Sequence, residues 1–198
     1  MIFEYIKAGL EVIDDEFDEI YPYSIQDLSK RHFTPIKIAK MAAEYLAETP
    51  NTRILDIGSG VGKFCMIGAC CTDGHFTGVE QRENLHQLSK EIVEEYELDN
   101  VHFIHGNIMD IDFSAFDAFY FFNAFFENIL QEDSIDKELE LNKELFFKYS
   151  IYVRKQLRKM PVGTKLVTYF AYSEEIPLHY KVVAVHLGGK LKMWEKKN

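Results

Sequence analysis

The segment Ile54-Leu55-Asp56-Ile57-Gly58-Ser59-Gly60-Val61-Gly62-Lys63-Phe64 constrains this chain more than any other, because it runs an apolar strand through three closely spaced glycines into a helix. Glycine tolerates positive φ and lacks a Cβ, so such a turn bends sharply and presents backbone N–H groups at the positive end of the next helix. A negatively charged or polar ligand suits that position. The spacing argues against two phosphate-binding turns. A P-loop needs glycine where Ile57 stands and Ser or Thr where Phe64 stands. The dinucleotide fingerprint needs its third glycine where Lys63 stands, so an oxidoreductase using a dinucleotide is disfavoured.

Three further segments read as buried strands that end in polar groups. Phe76-Thr77-Gly78-Val79-Glu80 ends in an acid; Val101-His102-Phe103-Ile104-His105 runs into Gly106-Asn107-Ile108; Phe116 to Phe122 delivers Asn123-Ala124-Phe125-Phe126. With Asp56 and glycines at 58, 60 and 62, this series resembles the seven-strand S-adenosylmethionine (SAM) dependent methyltransferases over residues 52 to 126. The resemblance implies a doubly wound, mostly parallel seven-stranded α/β sheet with a C-terminal antiparallel hairpin. It also implies SAM as cofactor and S-adenosylhomocysteine as product.

The same resemblance assigns residues. Glu80 would accept hydrogen bonds from the ribose hydroxyls, with Gln81 and Arg82 beside it; Arg82 either closes over the ribose or pairs with Glu83. Asn107 would accept from the adenine amine through its amide oxygen, and the Ile108 N–H would meet a ring nitrogen. Asp56, Gly58, Ser59 and Gly60 would hold the methionyl end, Asp56 acting indirectly and Gly58 and Gly60 leaving space. Asn123-Ala124-Phe125-Phe126 partly resembles the Asn-Pro-Pro-aromatic motif of amino methyltransferases, in which the Asn accepts from the target amine and the aromatic ring packs on it. Asn123, Phe125 and Phe126 are therefore catalytic candidates, and Asn123 also borders the cofactor. Both prolines are missing. The cofactor half is also similar to the non-SET histone-lysine methyltransferases. Ser29 to Pro35 resembles an aromatic-Thr-Pro lid, in which His32 would face substrate and Thr34 the cofactor carboxylate.

The 198 residues, 47% hydrophobic and 14% aromatic, suit one sizeable core. Residues 1–34 read as an acidic, aromatic segment, helical in pieces and a possible lid, and residues 35–198 as the methyltransferase domain. Cys65, Cys70 and Cys71 lack a second Cys-x-x-Cys or a histidine cluster at ligand spacing, so no metal is expected. An odd cysteine count and no charged-apolar-cleavage pattern point to the cytoplasm. Ala115 to Phe126 is too short to span a membrane. A formal net charge of -10 opposes a nucleic-acid footprint, despite basic clusters at Arg154 to Lys159 and Lys190 to Lys197.

Thr34 as N-cap and Pro35 as first helical residue start a helix that ends before Pro50. Helices follow from about Gly62 to Cys71, Asn84 to Tyr96 and Ile135 to Lys159. Lys165 to Phe170 is a fifth strand. The connection Ala171 to Leu178 is too short for a crossover helix, so His179 to His186 and Lys190 to Glu195 form a hairpin around Leu187-Gly188-Gly189-Lys190. The expected protein is a monomer or homodimer. It moves a methyl group to a nitrogen or oxygen nucleophile on a protein side chain or small molecule; the alternative is a catalytically silent SAM-fold binding protein.

Overall fold

The computed structural model describes residues 2–171 and 175–198. Three short helices, α1 (Ile2–Lys7), α2 (Asp14–Asp18) and α3 (Tyr23–His32), precede α4 (Ile36–Leu46). Then come β1 (Arg53–Ile57), α5 (Lys63–Cys71), β2 (His75–Glu80), α6 (Glu83–Glu95), β3 (Val101–His105), β4 (Ala118–Phe122), α7 (Lys143–Lys159), β5 (Lys165–Tyr169), β6 (Tyr180–His186) and β7 (Leu191–Lys196). The sheet order is β3-β2-β1-β4-β5-β7-β6. The first five strands are parallel, while β7 pairs antiparallel with both β5 and β6. The doubly wound sheet with a closing hairpin is as expected from the sequence. Residues 172–174 of the short connection lie outside the described residues.

Strand alternation sorts the core into two layers. On β4, Ala118 and Tyr120 pack with α1, α4, α5 and α6, while Phe119 and Phe121 pack with Tyr149, Val153 and Leu157 of α7. Both faces are thus covered, which is why β4 reads as an unbroken apolar run. Helix α5 is apolar nearly all round and is buried along most of its length.

Two helix starts differ from the sequence expectation. Helix α4 begins at Ile36, and its Ile36 N–H donates to Asp14 Oδ1 at 3.0 Å. Thr34 does not cap it; the Thr34 hydroxyl instead meets the Tyr120 hydroxyl at 2.9 Å. Helix α7 begins at Lys143, not near Ile135, because the Asn142 side chain accepts the Leu145 N–H at 2.9 Å and fixes the start there. The residues before it form 3-10 turns at Phe126–Asn128 and Gln131–Asp133 and a loop. The four-residue apolar spacing of Leu145, Tyr149, Val153 and Leu157 lies within α7 as expected, and part of the loop ahead of it lines a cavity instead of extending the helix.

Candidate active site

The parallel strands aim their carboxyl ends at one edge, where open α/β sheets place their ligands. A cavity of about 350 Å³ lies there, within the size range of small-molecule sites. Its walls come from Arg31 to Thr34, from the turn after β1, from Glu80 to Arg82 after β2, from Gly106 and Ile108 after β3, and from residues 122 to 145. The structure therefore brings together His32, Thr34, Asp56, Gly58, Ser59, Gly60, Glu80, Gln81, Arg82, Ile108, Asn123, Phe125 and Phe126. Asn107 is the one sequence candidate outside this lining. Its Oδ1 accepts the Met109 N–H at 3.0 Å, while its amide group donates to Gln81 Oε1 at 2.9 Å and to the Tyr149 hydroxyl at 3.1 Å.

Glycines 58, 60 and 62 all adopt positive φ, at 77°, 55° and 78°. The space they leave is filled by the protein itself. A Cβ on Gly58 would run into the Ala124 side chain and one on Gly62 into the Phe103 ring, while one on Gly60 would lie 3.0 Å from the Phe33 ring. The glycines thus let three distant segments close on the turn.

Charge within the cavity is mostly committed. Glu80, 7% exposed, accepts the Gly60 N–H at 2.9 Å and the Arg82 N–H at 2.8 Å. Burial raises its carboxyl above the ordinary range, and those N–H donors pull it back. Asp56 is pushed up to about 8 by burial, against a pull downward from the Cys65 thiol, which donates to it at 3.5 Å; Glu80's charge adds to the rise. Arg82 does not pair with Glu83. Its guanidinium makes a bidentate pair with Glu127 at 3.2 and 2.8 Å and reaches Asp136 at 3.0 Å, so it pins the loop before α7.

Two side chains keep polar groups available. Ser59 Oγ is buried without a hydrogen-bond partner. Asn123 stands at φ 44°, a left-handed conformation Asn tolerates better than most residues, and its carbonyl rather than its amide holds the turn by accepting the Phe126 N–H. Phe125 is a core ring, 5.3 Å from both Phe121 and Tyr149, and presents part of itself to the cavity. An orphaned buried hydroxyl, two acidic side chains and an apolar rim suit SAM, whose hydroxyls and cationic groups need acceptors and whose base needs apolar cover.

Sequence reasoning missed Lys63, Tyr120, Glu127 and Tyr149, all of which line the cavity. Lys63 Nζ is bonded to Asp14, Asp18 and Ser29. Acids at 14 and 18, four apart on one helix face, were the available signal.

Residues 48–162, more than half of the chain, match the family described as a methyltransferase domain. Over 80 residues the chain is 31% identical to the demethylmenaquinone methyltransferase of Listeria welshimeri, covering 39% of this chain and 34% of that protein. The aligned stretch thus spans about a third of the length of the curated relatives. A methyltransferase from Geobacter sulfurreducens shares the fold with TM-score 0.63 at 11% identity, covering 98% of this chain and 96% of that one. An RNA methyltransferase from Salinibacter ruber, in complex with S-adenosylhomocysteine, gives TM-score 0.56 at 18% identity over 83% of this chain and 94% of that one. With its strand-end cavity, its glycine turn and this match, the chain belongs to the methyltransferase-domain family.

Proposed function

We propose that this protein is a SAM-dependent methyltransferase that transfers the methyl group of SAM to a nitrogen or oxygen nucleophile on a small molecule or protein side chain that meets the cavity at Asn123. The observation that carries this reading is Asn123 itself: it leaves β4 left-handed, lines the cavity and keeps its side chain unbonded among the described residues. When bound, SAM supplies an activated methyl group on a cationic sulfur. The chain's own work is alignment and exclusion of water. Glu80 accepts from the ribose, Ser59 Oγ and the turn hold the methionyl end, and Asp56 orients the turn from beneath. Gln81, Ile108 and Arg82 border the nucleoside, with Arg82 acting through the loop it pins. Asn123 Oδ1 accepts a hydrogen from the nucleophile and so turns its lone pair toward the methyl group. Phe126 packs beside it, and His32 stands on the N-terminal wall, placed to take a proton. Thr34 acts through Tyr120, and Asn107 through Gln81 and Tyr149.

A formal charge of -10 and the pairing of Lys63 and Arg82 with acids weigh against nucleic acid as acceptor, although the fold relatives include RNA methyltransferases. Among the described residues, no helix is long and apolar enough to cross a membrane. Calorimetry with S-adenosylhomocysteine, followed by tritiated-methyl labelling of a fractionated lysate, tests the proposal. Labelled small molecules or protein that vanish with Asn123→Ala support it. Cofactor affinity with no transfer to any fraction identifies a silent binding protein instead.

A further inference from the structure

The polarity of the cavity wall beside Glu80 is set by a closed hydrogen-bond triangle of Gln81, Asn107 and Tyr149. Its direction is fixed from one end. The Met109 N–H can only donate, and it donates to Asn107 Oδ1 at 3.0 Å, so the other arm of that amide is the Nδ2 donor. Asn107 Nδ2 spends its two hydrogens on Gln81 Oε1 at 2.9 Å and on the Tyr149 hydroxyl at 3.1 Å. That hydroxyl, having accepted, turns its own hydrogen to Gln81 Oε1 at 3.5 Å. Both supports of Gln81 are anchored: Asn107 caps the 3-10 turn Ile108–Asp110, and Tyr149 is buried on α7 against the Phe125 ring. The Gln81 carbonyl is therefore held to the triangle, and its Nε2 is left with no hydrogen-bond partner among the described residues. Gln81 lines the cavity and Asn107 does not, so a ligand at this wall meets an N–H donor.

We propose that Gln81 sets the nucleobase specificity of the cofactor site: its Nε2 donates to a ring-nitrogen acceptor that adenine and hypoxanthine share, N3 or N7, and the 6-amino group is not selected at this wall. This rests on the function proposed above and deepens it on the cofactor side. An acceptor here would hold an exocyclic amine, as the resemblance expects of Asn107. A donor suits a ring-nitrogen lone pair instead, and two donors set face to face would both go unpaired. Replacing the 6-amino group by a 6-oxo group thus removes no bond that Gln81 makes. Asn107 and Tyr149 act through Gln81 as positioning residues. Because polarity runs along the bonds, it can be reversed from Asn107, which lies outside the cavity lining. In Asn107→Asp, one carboxylate oxygen still accepts the Met109 N–H and the other becomes an acceptor facing Gln81. The Gln81 amide then turns over, giving Nε2 to that carboxylate and Oε1 to the cavity.

The test compares S-adenosylhomocysteine with its 6-oxo counterpart, S-inosylhomocysteine, by calorimetry on the full chain. The wild type is expected to bind the 6-oxo form no more than about threefold more weakly. In Asn107→Asp, the preference for the adenosyl form is expected to rise to about tenfold, the worth of one hydrogen bond. Gln81→Glu gives the same rise without touching Asn107, because its carboxylate still accepts from Asn107 and Tyr149 and offers its second oxygen to the cavity; thermal melts establish that each variant is folded. A merely structural role for Asn107 lowers both affinities alike and leaves their ratio where it was. Gln81→Met, which keeps length without donor or acceptor, is expected to weaken both ligands about three- to tenfold at an unchanged ratio. A larger wild-type preference for the adenosyl form, or a ratio unchanged in the folded variants, overturns the assignment of Gln81. A wild type that binds neither ligand overturns the proposed function instead, so the two failures are separable.

Discussion

Lys63 Nζ, at the first residue of α5, lies 2.7 Å from Asp18 Oδ1 on α2, and both side chains are almost fully buried. The same ammonium meets Asp14 at 2.8 Å and Ser29 at 3.1 Å, and it lies 5.4 Å from the centre of the Phe17 ring. Asp14 in turn accepts the Ile36 N–H. One buried cation thus joins α2, α3 and, through Asp14, α4 to the helix that follows the glycine turn. Residues 2–34 pack into the same core as the sheet, and the wall at Arg31 to Thr34 is held in place from behind.

Removing that cation leaves Asp18 buried without its charge partner. Lys63→Met is expected to cost about 3–5 kcal/mol in urea denaturation. Combined with Asp18→Asn, the loss should be smaller than the sum of the two single losses, with a coupling of about 1–3 kcal/mol. Additive losses would show that the pair is not a unit.

Glu80→Gln keeps the side chain's volume and removes its charge. Since Glu80 accepts two backbone N–H groups and is the proposed ribose acceptor, S-adenosylhomocysteine affinity should fall about tenfold to a hundredfold by calorimetry. Unchanged affinity would place the ribose elsewhere.

Asp56 carries a pH signature. Folding raises its carboxyl from 3.8 to about 8, so between those values the folded protein holds a proton that the unfolded chain has released. The stability it contributes is full below 3.8, declines by about 1.4 kcal/mol per pH unit as pH rises, and levels off above about 8. Asp56→Asn should remove this slope from denaturation curves measured between pH 5 and 8. A slope identical to wild type would assign the linkage to another group.

Arg82→Gln frees Glu127 and Asp136 and should loosen the wall they carry. Amides from 127 to 142 are expected to exchange with solvent about tenfold faster, while those of β1 and β4 keep their protection. KM for SAM should rise more than kcat falls. Uniform acceleration of exchange would indicate global destabilisation instead.

Gly62→Ala tests the packing role of the turn. Its φ of 78° is left-handed, and a methyl group there meets the Phe103 ring. The strain and the clash together should cost about 2–4 kcal/mol. Gly163→Ala, also at positive φ but with open space around it, should cost only about 1–2 kcal/mol.

The amino-acid sequence by itself determined the turn at Asp56 to Gly62, the strands that end at Glu80, His105 and Phe122, and the closing hairpin. Each is written in short-range chemistry: glycines where φ turns positive, unbroken apolar runs where a strand is covered on both faces, and too few residues after β5 for a crossover helix. The tertiary structure decided what these ends carry. Asp14 caps α4 from 22 residues away, Thr34 turns to Tyr120, Arg82 takes Glu127 and Asp136 over its neighbour Glu83, and Asn107 spends its amide on Gln81 and Tyr149. Asn142 sets where α7 begins, eight residues after the start expected at Ile135. These choices were illegible locally because a buried charge or amide is satisfied by whichever partner the packed chain brings within hydrogen-bonding distance, and sequence separation does not limit that choice. The left-handed residues Asn123 and Phe170 follow Phe122 and Tyr169, which only the folded sheet brings side by side.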